Sequence, residues 1–85
     1  MPDNAELADT LGWVQFQRKQ YDSAAAAFRE ALKKNADSAT VHYHLGLALL
    51  EKNQKTEARK ELEEALKHKP TSQELQRIQA ALDRK

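Results

Sequence analysis

The sequence predicts an all-α fold in which five helices, mostly in antiparallel pairs, stack into a solenoid. Three observations support this prediction. The dipeptide Leu11-Gly12 returns as Leu45-Gly46, an offset of 45 − 11 = 34 positions. Only two glycines and two prolines occur in the 85 residues, which argues against a turn-rich all-β domain. Hydrophobic residues make up 40% and charged residues 32% of the chain, a mixture typical of amphipathic helices.

The same offset continues along the chain without a gap, and it preserves small residues as small and large apolar residues as large. The further pairs at this offset are Ala24 and Ala58, Phe28 and Leu62, and Ala31 and Ala65. Gly12 and Gly46 fall in the middle of predicted helices, where glycine costs about 1 kcal/mol relative to alanine. We therefore expect the paired helix to approach both glycines closely, with the alanines as its facing surface. The large residues expected to fill the space between helices are Leu11, Phe28, Leu45 and Leu62.

Local start and stop signals divide the chain into helices. The first helix covers roughly residues 4–18, after start and cap signals in Pro2-Asp3-Asn4. The second covers roughly residues 22–34 and is broken by Asn35 and Asp37. Asp37 or Ser38 caps the third helix, which extends to about residue 52.

Two more helices complete the prediction. Asn53 suits a left-handed turn residue after the third helix. The fourth helix begins at Thr56 or a near neighbour and ends before Pro70. Residues 71–74 have the sequence TSQE, a capping box that opens a fifth helix to about residue 83.

The fifth helix has one apolar and one polar side, as the terminal cap of a helical stack requires. Its apolar residues are Leu75, Ile78 and Leu82, and its polar ones are Gln73, Glu74, Gln76, Arg77, Asp83 and Arg84. We predict one domain over residues 1–85, with units at residues 3–36 and 37–70 and a cap at residues 71–85. No polar helix precedes the first one, so we expect it to expose one flank, as at the truncated end of an array.

Charge and residue content exclude several functional classes. The formal net charge of +1 gives no electrostatic case for nucleic acid or for an anionic membrane. The chain has no cysteine, which excludes disulfides, thiolate catalysis and cysteine-bound zinc. The apolar stretch at residues 45–50 is too short to insert across a bilayer, and the first residues lack the features of a signal peptide. The compartment stays open.

The histidines form no metal-binding or catalytic pattern. His42 and His44 are separated by one residue, whereas two ligands on one helix face need a spacing of three or four. We expect His42 to pack between helices and His44 to face the inner surface, and His68 is remote from both. No glycine-rich phosphate loop and no serine elbow occur. We therefore predict no cofactor, no metal and no enzymatic activity.

The repeated residues resemble the tetratricopeptide repeat family, whose pattern of Trp, Leu-Gly, Tyr, Ala, Phe, Ala and Pro spans about 34 residues. The matching residues are Leu11-Gly12, Ala24, Phe28 and Ala31, then Leu45-Gly46, Ala58, Leu62, Ala65 and Pro70. The resemblance covers residues 3–72. Within the family, the two repeats are most similar in general character to the closing repeats of bacterial arrays. The departures are Ala8 and His42 in place of the early Trp, and Gln15 and Leu49 in place of Tyr.

On this resemblance, the first helix of each pair lines a concave surface that binds a peptide or protein segment. The partner-binding residues it implies are Asp9, Trp13, Gln17, Tyr43, His44, Leu47 and Arg77. A patch of Trp13, Tyr43 and Leu47 would supply apolar contact, and Asp9, His44 and Arg77 would set the register. The alternative for Trp13 is that its ring only fills space against the next helix.

Two other functional readings follow from the resemblance. Some members hold a partner's terminal carboxylate with Lys, Asn, Asn, Lys and Arg. The corresponding residues here are Asp9, Trp13, His44, Glu74 and Ile78, so we expect no such clamp. The alternative function, indicated by the exposed flank expected of the first helix, is a structural end piece. Such an end piece would stack on preceding repeats or form a homodimer through its exposed terminal helices.

Overall fold

The computed structural model describes residues 4–83 and confirms the predicted all-α fold. Its five helices are α1 (Asn4–Gln17), α2 (Tyr21–Lys34), α3 (Ala39–Glu51), α4 (Lys55–Lys67) and α5 (Ser72–Leu82). Residues 4–83 contain no strand. The predicted ends of α1, α3 and α5 lie one residue beyond the observed ends, because the last predicted residue of each belongs to the following turn.

The helices pack in the order that the repeat predicts. α1 packs along α2 and α3 packs along α4, and each pair is joined by a three-residue turn. α2 joins the two pairs by packing against α3. α5 contacts both α4 and α3, so it covers the end of the second pair.

Short polar signals set several of the helix ends. The Ser38 side chain accepts a hydrogen bond from the Val41 amide at the start of α3. Thr71 and Glu74 form the predicted capping box at the start of α5. Asn53 has φ 62°, as its predicted left-handed turn requires, and Lys19 has φ 64° at the corresponding place between α1 and α2. The signals predicted for Pro2 and Asp3, and the polar role of Arg84, lie outside the described residues.

Both mid-helix glycines lie where the paired helix comes closest, as predicted. A Cβ atom at Gly12 would be 2.6 Å from Phe28 Cε1, and one at Gly46 would be 2.7 Å from Leu62 Cδ2. These distances are far shorter than van der Waals contact, so only glycine lets the helices of each pair lie this close. The glycine and the large apolar residue facing it therefore act as one packing unit in each pair.

Buried side chains form two connected clusters. The first lies between the helical pairs and contains Ala24, Ala25, Phe28, Ala31, Val41, Leu45, Ala48, Leu49 and Ala58. The second lies under the capping helix and contains Tyr43, Leu62, Ala65, Ile78 and Ala81. α5 therefore belongs to the core through Ile78 and Ala81, as a capping helix should. Leu75, which was predicted on the same apolar side, is 38% exposed.

The prediction that Leu11 fills space between helices is wrong. Leu11 is 53% exposed, whereas its repeat counterpart Leu45 is 2% exposed. Leu45 is buried because α2 packs on that side of α3. Within residues 4–83, no helix packs on the same side of α1. The exposed flank predicted for the first helix is therefore present.

Within the described residues, no helix combines the length and the apolar character needed to span a bilayer.

Candidate functional site

The first helices of the successive units, α1, α3 and α5, present a common surface that we call the α1–α3–α5 face. It is defined by Asp9, Trp13, Gln17, Thr40, Tyr43, His44, Leu47, Glu74 and Arg77. α3 is the middle helix and contacts both α1 and α5. Side-chain hydrogen bonds connect it to each neighbour, from His44 to Asp9 and from Thr40 to Glu74. Hydrogen bonds between side chains therefore hold the three helices of this face in fixed positions relative to one another.

His44 is the most highly connected side chain of the α1–α3–α5 face. Its Nδ1 atom lies 2.8 Å from Asp9 Oδ1, and its ring stacks on Trp13 with centroids 4.4 Å apart. The rings of Phe28 and Tyr43 lie 5.4 and 5.5 Å from it. The predicted position of His44 on the inner surface therefore combines a polar contact with aromatic packing.

Trp13 is half-buried, packed against neighbouring rings on part of its surface and open to solvent on the rest. One neighbour of its indole is His44 of the next unit, so the ring does pack against the next helix. Its other neighbour is Phe16, stacked almost parallel with centroids 5.2 Å apart. Part of the indole remains accessible to solvent. The ring is therefore both a packing element and an exposed apolar surface held in a fixed orientation.

The other predicted residues differ in their access to solvent. Gln17 and Arg77 are exposed, and Leu47 is half-buried. Asp9 and His44 are mostly shielded, with side-chain exposures of 21% and 15%. Among the predicted residues, those accessible to solvent on this face are therefore mainly Trp13, Leu47, Gln17 and Arg77.

Tyr43 does not lie on an accessible patch with Trp13 and Leu47. It is 7% exposed and packs in the cluster that contains Leu62 and Ile78. Burial raises the pKa of its hydroxyl, opposed by the positive charge of Arg77 and reinforced by Glu74. The sequence placed Tyr43 on the correct helix, but α4 and α5 cover its ring, so Tyr43 supports the face from beneath.

Glu74 belongs to this surface and, besides its predicted place in the capping box, connects α5 to α3. Desolvation by burial raises the pKa of its carboxyl, but hydrogen bonds outweigh it and the net pKa is lowered. The donors are the Thr40 hydroxyl and the Thr71 amide, and His44 adds a favourable charge. Glu74 therefore holds α5 against α3 as a charged carboxylate. Thr40 and Glu74 are 34 residues apart, so pairing equivalent positions in adjacent units would have predicted this bond.

A cavity of about 260 Å³ opens beside Asp9, between the start of α1 and the turn that leads into α3. It is lined by Ala5, Glu6, Asp9, Asn35, Ser38, Thr40 and Val41. Asp9 and Thr40 belong to the α1–α3–α5 face, so the cavity extends that face towards the start of α1.

His42 lies off this face and has the packing role that was predicted. It is 8% exposed, with Nδ1 2.8 Å from Glu61 Oε1 and Nε2 2.7 Å from the Ala36 carbonyl oxygen. Its ring stacks on His68 with centroids 5.5 Å apart. In the described part of the chain, no group of three or more His, Cys, Asp or Glu side chains is arranged to hold a metal ion. His42 thus connects the α2–α3 turn to α4.

Comparison with known proteins gives two findings. A family model of the tetratricopeptide repeat matches residues 10–73. Superkiller complex protein 3 of Mus musculus is 40% identical over 67 residues, which cover 79% of this chain and 4% of that protein. The chain therefore spans about 4% of the length of this curated relative. Because this relative is from mouse, the predicted likeness to the closing repeats of bacterial arrays stays a prediction.

Proposed function

Because this chain belongs to the tetratricopeptide repeat family, we propose that it is a non-enzymatic scaffold that binds a peptide or protein segment on its α1–α3–α5 face. Repeats of this family generally serve as protein-interaction modules. The mouse relative is named as a protein of a complex, which agrees with a protein partner.

The observation that carries this proposal is the half-buried Trp13, fixed between Phe16 and His44. A large aromatic side chain whose rotamer is already fixed loses little entropy when a partner covers it. Leu47, its repeat counterpart on α3, is also half-buried and offers a second apolar contact. In this proposal the two residues supply the apolar contacts to the bound segment.

Polar residues around this centre would orient the partner. Gln17 and Arg77 are exposed and can donate hydrogen bonds to a bound segment. Asp9 and His44 are bonded to each other, so they fix the Trp13 ring and contribute a polar edge. Tyr43 is assigned a supporting role because its ring is buried.

Selection of short peptides on the immobilised chain from a displayed library would test the proposal. We expect Trp13→Ala and Leu47→Ala each to lower the affinity of the chain for the selected peptides by at least about ten-fold, as is typical of residues at the centre of an interface. Leu66→Ala is the matched control, because Leu66 is an exposed leucine on α4. If the selected peptides bind Trp13→Ala and Leu47→Ala with unchanged affinity, the α1–α3–α5 face is not their binding site.

A second function is favoured by the contrast between the two ends of the fold. Leu7, Leu11 and Val14 are exposed apolar residues on α1. On α5, by contrast, Gln73, Gln76 and Gln79 are exposed, with Leu75 as a single exposed leucine. In this second proposal, the chain is a structural end unit that stacks on other helices or on a second copy through α1. Sedimentation velocity at several concentrations tests the second copy: a mass that doubles with concentration supports self-association, and a constant monomer mass rules it out.

A further inference from the structure

We propose that the cavity beside Asp9 binds a basic side chain, lysine or arginine, of the segment that lies on the α1–α3–α5 face. The same segment places an apolar residue on Trp13, one helical turn further along α1. This inference rests on the first function proposed above, because it names the kind of segment that the face binds. The partner is a basic segment that carries an apolar residue, and not an acidic one.

The cavity has the size of a single side chain and a wall rich in oxygen atoms. Its volume of about 260 Å³ is below the roughly 300–1,000 Å³ of pockets that hold drug-sized ligands. The polar residues that line it all have side-chain oxygens, and they are Glu6, Asp9, Asn35, Ser38 and Thr40. Of the lining residues within residues 4–83, none is Lys, Arg or His. An ammonium or guanidinium group, with several N–H donors and a positive charge, fits such a wall.

Hydrogen bonds inside the chain hold two of these oxygens in place before a partner binds. Asp9 Oδ1 lies 2.8 Å from His44 Nδ1, and Ser38 Oγ accepts a hydrogen bond from the Val41 amide at 3.2 Å. A carboxylate accepts through two oxygens and a hydroxyl oxygen has two lone pairs, so both residues can accept further bonds. Because these side chains are already ordered, little entropy is lost when a basic group binds to them.

The charges of the α1–α3–α5 face also favour a basic partner. Within residues 4–83, Asp9 and Glu74 contact histidine and threonine residues and not Lys or Arg. Several other carboxylates do pair with Lys or Arg of the chain, and they lie on α2 and α4. Those pairs are Arg29 with Glu57, Lys33 with Glu30, Lys52 with Asp22 and Lys67 with Glu64. The negative charge of Asp9 is therefore complementary to a cation that a partner supplies.

Two more charged residues give the same sign at the cavity. Glu6 places a second carboxylate in its lining. Arg77 is a basic residue of the same face, but it lies on α5 and does not line the cavity. An acidic side chain at this position would meet two carboxylates, whereas a basic one would meet no positive charge among the lining residues that the structure describes.

The position of Trp13 relative to the cavity sets the spacing within the bound segment. Asp9 and Trp13 are four residues apart in α1, which places their Cβ atoms about 5–6 Å apart. In an extended segment, side chains two residues apart lie on the same side and are separated by about 6–7 Å. We therefore expect the basic and the apolar residue of the segment to be separated by one residue.

A capped tripeptide of arginine, alanine and leucine tests the cavity directly. Its affinity is measured by titration against the isotope-labelled chain, with the backbone amide signals of Asp9 and Val41 as reporters. The control tripeptide has citrulline in place of arginine, which keeps the shape of the side chain and removes its charge. We expect the arginine peptide to bind at least about ten-fold more tightly than the citrulline peptide. A lysine peptide should also bind more tightly than the citrulline peptide, and its rank against arginine shows whether the cavity prefers an ammonium or a guanidinium group.

Variants of the cavity wall show whether the charge acts at this site. Asp9→Asn and Glu6→Gln should each lower the affinity for the arginine peptide by at least about three-fold. Glu6 is exposed, so Glu6→Gln keeps the fold, and the amide spectra report the folding of both variants. Glu6→Gln should leave the affinity for the citrulline peptide unchanged. Glu63→Gln, at an exposed glutamate of α4, is the control and should leave both affinities unchanged.

The outcomes separate this inference from the function on which it rests. Equal affinities for the arginine and citrulline peptides, or equal affinities of the parent, Asp9→Asn and Glu6→Gln for the arginine peptide, overturn the inference. If Trp13→Ala still weakens both peptides in that case, the face binds peptides without a basic subsite and the proposed function stands. Absence of a saturable shift with any of the three tripeptides also overturns the inference. The library selection, which does not presuppose a basic residue, then decides the proposed function separately.

Discussion

Gly12 lies against the ring of Phe28 so closely that a methyl group at residue 12 would be 2.6 Å from Cε1 and 2.7 Å from Cδ1. Phe28 is completely buried, and the His44 ring lies 5.4 Å from it on the inner side. The phenyl ring is therefore enclosed and cannot move aside without disturbing α3. This contact fixes the separation of α1 and α2.

Gly12→Ala is expected to destabilise the chain even though alanine is the better helix former. Overpacking a core costs about 1–3 kcal/mol, whereas the gain in helix propensity is about 1 kcal/mol. We expect a net loss of about 1 kcal/mol in the free energy of unfolding, measured by urea denaturation. Thr10→Ala is the control, because Thr10 is exposed on the same helix and only the propensity changes. A Gly12→Ala chain as stable as Thr10→Ala would show that the contact with Phe28 does not limit helix approach.

Leu11 and Leu45 occupy the same place in the repeat and are expected to respond differently to truncation. Leu45→Ala removes a side chain that is 2% exposed and should cost about 2–5 kcal/mol of unfolding free energy. Leu11→Ala, at 53% exposure, should cost less than about 1 kcal/mol. Thermal unfolding of the two variants measures the difference directly. Equal destabilisation would mean that α1 is covered on the side that carries Leu11.

The repeat predicted the fold well because the signals that specify helices are local. Helix length, the Ser38 cap and the Thr71–Glu74 capping box depend on residues a few positions apart. The need for glycine at residues 12 and 46 also followed from the sequence, since a mid-helix glycine requires a close neighbour. These features required no knowledge of how the units stack.

The errors came from effects that depend on neighbouring units. Leu11 and Leu45 were both expected to fill space between helices, but burial of Leu11 needs a helix on the far side of α1. Tyr43 was expected on the accessible patch, but its exposure is decided by Leu62 and Ile78 on α4 and α5. A repeat pattern fixes which way a side chain points, and only the stacked structure shows whether another helix covers it.

His42 is expected to be a strong determinant of stability. Both of its ring nitrogens lie beside acceptors, Glu61 Oε1 at 2.8 Å and the Ala36 carbonyl oxygen at 2.7 Å. His42→Phe keeps an aromatic ring but leaves both acceptors without this partner, at a cost of about 1–3 kcal/mol of unfolding free energy. His68→Phe is the matched control, since His68 is half-buried and its nearest carboxylate contact is 3.5 Å. Urea denaturation should show the larger loss for His42→Phe, and the reverse order would contradict a bridging role.

Lys19 is a position where substitution should stabilise the fold. Its φ of 64° lies in the left-handed region, which costs a residue with a side chain about 1–2 kcal/mol and glycine almost nothing. We expect Lys19→Gly to raise the free energy of unfolding by up to about 1 kcal/mol, and Lys19→Asn, which copies Asn53, to raise it by less. Lys33→Gly is the control, because Lys33 lies inside α2 and glycine there should destabilise by about 1 kcal/mol. A loss of stability in Lys19→Gly would contradict the turn geometry.

Glu74 should make the stability of the fold depend on pH in the acid range. In the folded chain, desolvation opposes ionisation, but the hydrogen bonds from Thr40 and Thr71 prevail and lower the pKa of Glu74. In the unfolded chain the pKa of the carboxyl returns to its ordinary value of 4.5. A lowered folded pKa means that the stabilisation is fully present above that ordinary value and is lost as the pH falls through the folded one.

Glu74→Gln should therefore reduce the fall in unfolding free energy between about pH 7 and about pH 3, measured by urea denaturation at each pH. Thr40→Val should reduce it partly, because the Thr71 amide still donates to Glu74 at 3.0 Å. Glu63→Gln is the control, since Glu63 is an exposed glutamate on α4. If Glu74→Gln and Glu63→Gln lose the same stability on acidification, the bond between α3 and α5 does not depend on a charged Glu74. In that case the apolar packing of Ile78, Ala81 and Leu82 would hold α5 on the fold.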